Sequence, residues 1–382
     1  MSERGAGAII SLFLVMFPVA TRATQPNASK VPVAEPRAMV LADASSGRVL
    51  RERNADESIA LGGLGHLMLS LLVLERLDSG DLVTGLTLPV SAGAAAVPGA
   101  RLALREGEQL SIDELLRALL VSGAPDAAAV LAEGTLGSPA TAVAAMNERA
   151  SSLGMIGTEY GSLSGTAAST RQPIDVTTAR DTVRVTTELL RHPRARTWAA
   201  LSGLPFRGGT VLLRNRNQML GTVAGVDGLL VTESTRGGSH LVATARRGTL
   251  DVIAVALGAA DNNIRYTAVR EWLDWSFATF ERIDIVRVGE PLRIPVRVRG
   301  GLEGHLVPVA GTGCSLLRRH GEEHHFELGF QLPDVLAAPI VRDQRVGEIV
   351  IRENDLVVAV VPAVSPADFP AADSVLSTAG SP

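Results

Sequence analysis

Residues 104–133 read LREGEQLSIDELLRALLVSGAPDAAAVLAE. Apolar side chains recur at helical spacing from Asp113 to Glu133, and the step Gly123-Ala124-Pro125 interrupts them. Glycine commonly follows the last residue of a helix, and proline commonly occupies the first turn of one. The stretch therefore predicts two consecutive helices that are broken near residues 123–125.

The flanking segments combine helix and strand patterns. Before the helical pair, residues 39–50 predict a β-hairpin that turns at Ser45-Ser46-Gly47, and residues 61–77 predict a helix whose second half is buried. After the pair, we expect helices over 140–153, 177–190 and 265–280, with strands in TVLL, HLVATARR and LDVIAVALGA before the last of them.

The pattern changes from Ile283 onward. Short alternating segments follow one another with turn residues between them, which is typical of an all-β module: DIVRV, LRIPVRV, HLVPVA, FELGFQL and VGEIVIR. We therefore assign residues 282–364 to a C-terminal β domain. Residues 365–382 are rich in proline, alanine and serine, and we expect them to form a disordered tail.

Composition excludes several classes of protein. The chain has 382 residues, of which 46% are apolar and 20% charged, as expected for a folded protein of about two domains. The net charge is −4 and the isoelectric point about 6.0, so no basic excess is available for nucleic acid. Lys30 is the only lysine among 36 lysines and arginines. The folded body therefore has no lysine that could serve in catalysis. We also expect no cofactor.

The N-terminus resembles a signal peptide. Arg4 precedes a short apolar run over residues 8–17, which is shorter than the ~20 residues of a comfortable membrane span. We expect residues 1–23 to direct export to the periplasm or another extracytoplasmic compartment, with an uncleaved anchor as the alternative, and residues 24–36 to form a linker. Cys314 is the only cysteine, so no internal disulfide is possible.

Several dispersed segments together resemble the low-molecular-mass penicillin-binding proteins, the serine-type D-alanyl-D-alanine carboxypeptidases. They occur in the order of that family between residues 39 and 280: LADASSGRVLRERNADE, the stretch quoted first, AMNERASSLGM, NRNQML, VDGL and LVATARR followed by IAVALGA. The segment APIVRDQRVGEIVI resembles the family's C-terminal sheet domain.

The resemblance implies an α+β fold. Residues 37–281 would form a transpeptidase-like domain related to the serine β-lactamases, with a five-stranded antiparallel sheet flanked by helices. A smaller β-sandwich would follow. The implied ancestral activity is removal of the terminal D-alanine from peptidoglycan pentapeptides through a serine acyl-enzyme.

The family's first motif, S-x-x-K, supplies the serine nucleophile and the lysine that activates it. Here the corresponding helix reads GLGHLM, so Gly63 stands at the serine position and His66 at the lysine position. Glycine has no side chain, and no acyl-enzyme can form on it.

The second and third motifs, S-x-N and K-T-G, also depart from the family pattern. Gly123 and Pro125 stand at the serine and asparagine positions, although a shift of one residue would place Ser122 near the serine position. The K-T-G strand, which in the family grips the substrate carboxylate, has Leu230, Val231 and Thr232.

These departures predict a catalytically degenerate homologue that binds cell-wall material, such as a peptidoglycan stem peptide, or a cell-wall enzyme. One alternative is an active carboxypeptidase with a non-standard nucleophile, although Ser58 and Ser70 have Leu61 and Val73, not a base, three residues later. Another alternative is a structural interaction module that works through the C-terminal β domain.

Other patterns are weaker. Residues 161–165, GSLSG, have the two glycines of a nucleophile elbow but lack its strand–helix context, and Ser162 stands where the family has an asparagine. Residues 320–324, HGEEH, match a zinc-protease pattern, but their flanks predict a hairpin turn, so no metal site is expected. We expect structural roles for Asp126, Asn147, Asn215 and Asn217. The tail carries no basic residue, so no C-terminal membrane anchor is evident.

Overall fold

The computed structural model describes residues 12–13, 35–99, 102–163, 165 and 175–372. Most of the predicted signal peptide (1–23) and linker (24–36) therefore lies outside the described residues, as does the end of the predicted tail. The chain divides into two compact units between Ala278 and Thr279. No helix within the described ranges is long and apolar enough to cross a membrane.

The first unit contains the predicted helices. A 3-10 turn over Gly62–Leu64 leads directly into the first of them. The helices are α1 (Gly65–Asp78), α2 (Ala92–Ala95), α3 (Ile112–Ser122), α4 (Pro125–Leu136), α5 (Pro139–Ser152), α6 (Ala179–Leu189), α7 (Pro193–Ala199) and α8 (Asn262–Thr279).

The strands of the molecule include one N-terminal pair of residues, β1 (Leu12–Phe13). The first unit holds β2 (Ala38–Asp43), β3 (Val49–Arg53), β4 (Ile59–Ala60), β5 (Thr87–Pro89), β6 (Gln109–Ser111), β7 (Val176–Thr177), β8 (Gly203–Phe206), β9 (Val211–Arg214), β10 (Val226–Ser234), β11 (Gly238–Arg247) and β12 (Leu250–Ala259).

The central sheet has the strand order β10-β11-β12-β2-β3, and every neighbouring pair is antiparallel. All six residues of β2 are buried, which explains its continuous apolar sequence. The α+β fold and the five-stranded antiparallel sheet implied by the resemblance are thus confirmed. Strand β9, expected from TVLL, lies outside this sheet and pairs with β8 in a separate hairpin, in which its residues 211, 212 and 214 are exposed.

The helical pair α3–α4 owes its break to local backbone chemistry. A capping box between Ser111 and Glu114 begins α3. Gly123 ends it with a φ of +67°, in the left-handed region that glycine adopts without strain, and Pro125 is the first residue of α4.

Four buried or half-buried polar residues brace the first unit. Asp126 is fully buried and accepts hydrogen bonds from the backbone amides of Leu102 and Leu104 at 3.1 and 3.3 Å. The other three are asparagines whose side chains form hydrogen bonds with backbone groups: Asn147 with Tyr160, Asn215 with Ala199 and Leu201, and Asn217 with Gly228 and Met219.

The second unit is built of strands alone within its described part. They are β13 (Phe280–Val286), β14 (Val296–Arg299), β15 (His305–Leu306), β16 (Val309–Ala310), β17 (Cys314–Arg319), β18 (Phe326–Gln331), β19 (Val335–Ala337), β20 (Arg345–Glu353) and β21 (Leu356–Val364). They form sheets in the orders β1-β18-β20-β21-β16, β13-β17 and β15-β14-β19.

Two details of the second unit differ from the sequence expectations. Residues 365–372, placed in the disordered tail, belong to the unit, since Phe369 is 7% exposed and pairs with Ile340 beside a second small core. The HGEEH segment is not a hairpin turn, because β17 and β18 on either side of it belong to different sheets.

Replacing Asp126 by alanine should lower the free energy of unfolding by about 2–4 kcal/mol, because buried backbone amides lose their acceptor. Urea denaturation followed by circular dichroism measures the change. Glu106→Ala, at an exposed position in the same region, is the control and should change the midpoint little. Equal midpoints for both variants would contradict the bracing role.

Candidate functional site

The first motif position lies where the 3-10 turn meets the central sheet. The backbone amide of Gly63 donates a hydrogen bond to Thr232 Oγ1 at 2.9 Å. A β-carbon at Gly63 would lie only 2.5 Å from that oxygen and 3.5 Å from His66 Cε1. The Thr232 hydroxyl therefore occupies the space into which a serine side chain at position 63 would project.

This contact also engages a backbone donor. In serine acyl-transfer enzymes, the amide of the nucleophile itself can contribute to the oxyanion hole. The corresponding amide here, that of Gly63, already has the Thr232 hydroxyl as its acceptor. A substrate carbonyl would have to displace Thr232 before it reached this donor.

The second motif position faces the same strand. A β-carbon at Gly123 would lie 3.8 Å from the carbonyl oxygen of Val231 and 3.9 Å from Leu230 Cδ1. Leu230 and Val231 are each 3% exposed. The structure therefore brings the three motif positions together along β10, where the buried Leu230 and Val231 lie beside Thr232.

His66 has no hydrogen-bond partner on either ring nitrogen within the described structure, and it is 3% exposed. Burial lowers the pKa of His66 to about 4 because the charged imidazolium loses its hydration. The ring is therefore neutral at physiological pH. Ser70, one turn further along α1, is fully buried and its hydroxyl also lacks a partner.

None of the remaining candidate serines bonds a histidine, lysine or arginine side chain within the described residues. Ser122 donates its hydroxyl proton to the Ala118 carbonyl at 2.7 Å, and Ser58 is exposed. Ser162 donates to the Asp175 carboxylate at 2.5 Å, in a loop between α5 and β7. The elbow pattern thus has no described strand before it, and Ser164 lies outside the described residues.

Two basic residues behind Thr232 were missed by the sequence reasoning. Arg265 of α8 is 2% exposed, and its Nη1 donates to the carbonyls of Thr232 and His240, each at 3.0 Å. His240 accepts from the Gly258 amide and donates to the Ala60 carbonyl, and burial lowers its pKa to about 4. No short motif marks either residue, since their partners are backbone groups distant in sequence.

The histidines of the HGEEH segment are dispersed. His324 Nδ1 bonds Glu353, whereas His320 lies 3.8 Å from Glu281. Within the part of the chain that the structure describes, no group of three or more histidine, cysteine, aspartate or glutamate side chains is arranged to hold a metal ion.

Comparison with known proteins agrees with this architecture. A sequence model of D-alanyl-D-alanine carboxypeptidases matches residues 23–261. The chain belongs to this family. It is 25% identical to the D-alanyl-D-alanine carboxypeptidase DacF of Bacillus subtilis, with 94% of this chain and 93% of that protein covered. It is 29% identical to DacC of Escherichia coli, with 90% and 86% covered.

Solved structures of low-molecular-mass penicillin-binding proteins share the fold. Penicillin-binding protein 5 from Haemophilus influenzae aligns with a TM-score of 0.67 at 22% identity, over 90% of this chain and all of that one. The peptidoglycan synthesis regulatory factor PBP3 from Streptococcus pneumoniae aligns with a TM-score of 0.71 at 22% identity, over 89% of this chain and all of that one. The carboxypeptidase fold is therefore retained across both units.

A double-mutant cycle tests the contact between Gly63 and Thr232. Gly63→Ala should cost about 1–3 kcal/mol of unfolding free energy, because the new methyl group overlaps Thr232 Oγ1. The cost should be smaller in a Thr232→Ala background. Gly85→Ala, at a glycine whose β-carbon would meet nothing within 4 Å, is the matched control. Purely additive effects would show that the two sites do not touch.

The pH dependence of stability tests the burial of His66. The unfolded chain takes up this proton near pH 6.5, whereas the folded form resists protonation until about pH 4. The free energy of unfolding should therefore fall as pH falls through this window, by about 3 kcal/mol for each such histidine. His66→Leu should reduce the slope by about one proton, whereas Leu69→Ala should destabilise the protein and leave the slope intact. Unchanged slopes in both variants would place His66 in water.

Proposed function

We propose that this member of the carboxypeptidase family is a catalytically inactive, exported protein that acts by binding cell-wall material or a cell-wall enzyme. The observation that carries the proposal is the position of the Thr232 hydroxyl, which lies against Gly63 where the family has its nucleophile. Loss of the nucleophile in a serine hydrolase costs about six orders of magnitude in rate.

The chemistry of the surrounding residues supports the same proposal. Serine acylation requires a hydroxyl, a group that accepts its proton and a donor for the oxyanion. In place of the hydroxyl this chain has Gly63, and in place of the proton acceptor it has a neutral, buried His66. The amide that would donate to the oxyanion is already bonded to Thr232. Only the single lysine Lys30 exists in the chain, so neither family lysine has a substitute.

Binding without catalysis remains compatible with the preserved scaffold. The side chains of Asp126 and Asn217 form hydrogen bonds with buried backbone groups. These bonds stabilise the folded domain, so a structural role explains both residues without a catalytic one. Leu230 replaces the cationic clamp of the family, and each hydrogen bond lost to a charged group weakens binding by about 1.5–3 kcal/mol. A stem peptide, if it is the ligand, should therefore bind more weakly than in active relatives.

Release of D-alanine from a pentapeptide that ends in D-alanyl-D-alanine tests the proposal. We expect the native protein to release no more D-alanine than its heat-denatured control. Gly63→Ser alone should remain inactive, because Thr232 still crowds the hydroxyl and no lysine activates it. Release by the native protein above the denatured control would instead support the active-enzyme alternative.

A further inference from the structure

We propose that the first unit holds a further binding site, a cavity beside α6 that takes one neutral sugar ring. This cavity, called here the α6 cavity, lies between one face of α6 and the turn that joins β2 to β3, and its volume is about 360 Å³. None of its lining residues belongs to the three degenerate motifs. The proposal therefore goes beyond the proposed function and holds whether or not the degenerate centre binds a ligand.

Helix α6 and a glycine of the turn form two walls of the α6 cavity. Arg180, Val183, Arg184 and Thr187 line it from α6, and their spacing places them on one face of the helix. Gly47 lines it from the turn, with a φ of +71°. A β-carbon at Gly47 would lie 3.3 Å from Thr187 Oγ1, so the missing side chain keeps open the space in front of this hydroxyl.

The hydroxyl of Thr187 lacks a hydrogen-bond partner within the described structure, although the residue is only 9% exposed. Six described side chains contain such a buried, partnerless atom, and Thr187 is the one among them that lines the α6 cavity. Because a buried hydroxyl without a partner is costly, a group inside the cavity is expected to bond it. A water molecule takes up about 30 Å³, so the cavity has room for a much larger occupant.

The charged groups at the α6 cavity are already paired with one another. Arg180 donates to Asp56 at 2.7 Å and lies 2.9 Å from Glu52, and Arg184 is paired with Asp181. An anionic ligand would meet three carboxylates beside two guanidinium groups, and a cationic ligand would have to displace an arginine from its carboxylate. A neutral ligand requires neither change, so the electrostatics favour a neutral molecule.

The lining of the α6 cavity combines an aliphatic side with hydrogen-bonding groups. Val49, Leu153 and Val183 supply the aliphatic side, and Arg184 and Thr187 can donate hydrogen bonds. A sugar ring matches both, because its oxygens accept hydrogen bonds while its C–H face packs on aliphatic side chains. Sites for small molecules commonly have volumes of roughly 300–1,000 Å³, and the α6 cavity lies at the lower end of this range, as a single ring requires.

Titration of the full-length protein with N-acetylglucosamine, followed by ligand-observed NMR, tests the proposal. We expect a Kd of about 1 mM, as for a ligand of this size. Thr187→Val keeps the shape of the side chain and should weaken binding by about 2- to 10-fold, because it removes one hydrogen bond. Thr186→Val is the matched control, since Thr186 is also buried without a partner but does not line the cavity, and it should bind as the native protein does.

A pair of glycine variants tests the space in front of Thr187. Gly47→Ala places a methyl group against Thr187 Oγ1 and should weaken binding by about tenfold or more. Gly80→Ala imposes similar backbone strain at a φ of +86°, but its β-carbon would meet nothing within 4 Å, so binding should be unchanged. Thermal melting of each variant verifies that the fold is retained.

A charged sugar tests the neutrality of the ligand. Glucuronic acid carries a carboxylate and should bind more weakly than N-acetylglucosamine, because the acidic residues around Arg180 and Arg184 repel it. Stronger binding of glucuronic acid, no saturable binding of N-acetylglucosamine, or equal losses in each variant and its control would overturn the proposal. A cavity that holds only water would give the second of these outcomes.

Discussion

The packing of the centre of this protein depends on the hydrogen bond from the Gly63 amide to the Thr232 hydroxyl. It joins the turn before α1 to the central sheet at the point where the three family motifs meet. The close approach requires a residue without a β-carbon at position 63, because any β-carbon there would lie 2.5 Å from Thr232 Oγ1. The glycine at position 63 and the position of the Thr232 hydroxyl therefore depend on each other, because a side chain at position 63 would overlap that hydroxyl.

The electrostatics of the centre follow from this packing. With the family lysines absent, His66 is buried and uncharged, and Leu230 and Val231 line the strand. The positive charge that remains nearby belongs to Arg265, whose guanidinium is occupied by the Thr232 and His240 carbonyls. The region resembles a protein core: Arg265 and His240 bond backbone groups, and His66 is buried without a partner in the described structure.

The sequence predicted much of the fold, because the deciding signals were local. Periodicity and the Gly123–Pro125 break located α3 and α4, and the ordered family segments implied the antiparallel sheet. The positions of Gly63, His66 and Leu230 were also identified, but the contact that fills the space at Gly63 was not, since it joins residues 169 positions apart. Arg265 and Phe369 were missed for the same reason: their partners are distant backbone and core groups that no short pattern encodes.

The intact mass of the purified protein after incubation with excess benzylpenicillin tests the central claim most directly. β-Lactams acylate the serine nucleophile that this fold carries in its active relatives, so an active relative treated in parallel is the positive control. If Thr232 and Gly63 close a centre without a nucleophile, the mass remains unchanged while the control gains one adduct. A stoichiometric adduct that maps to a single serine of this chain would contradict the account and identify its nucleophile.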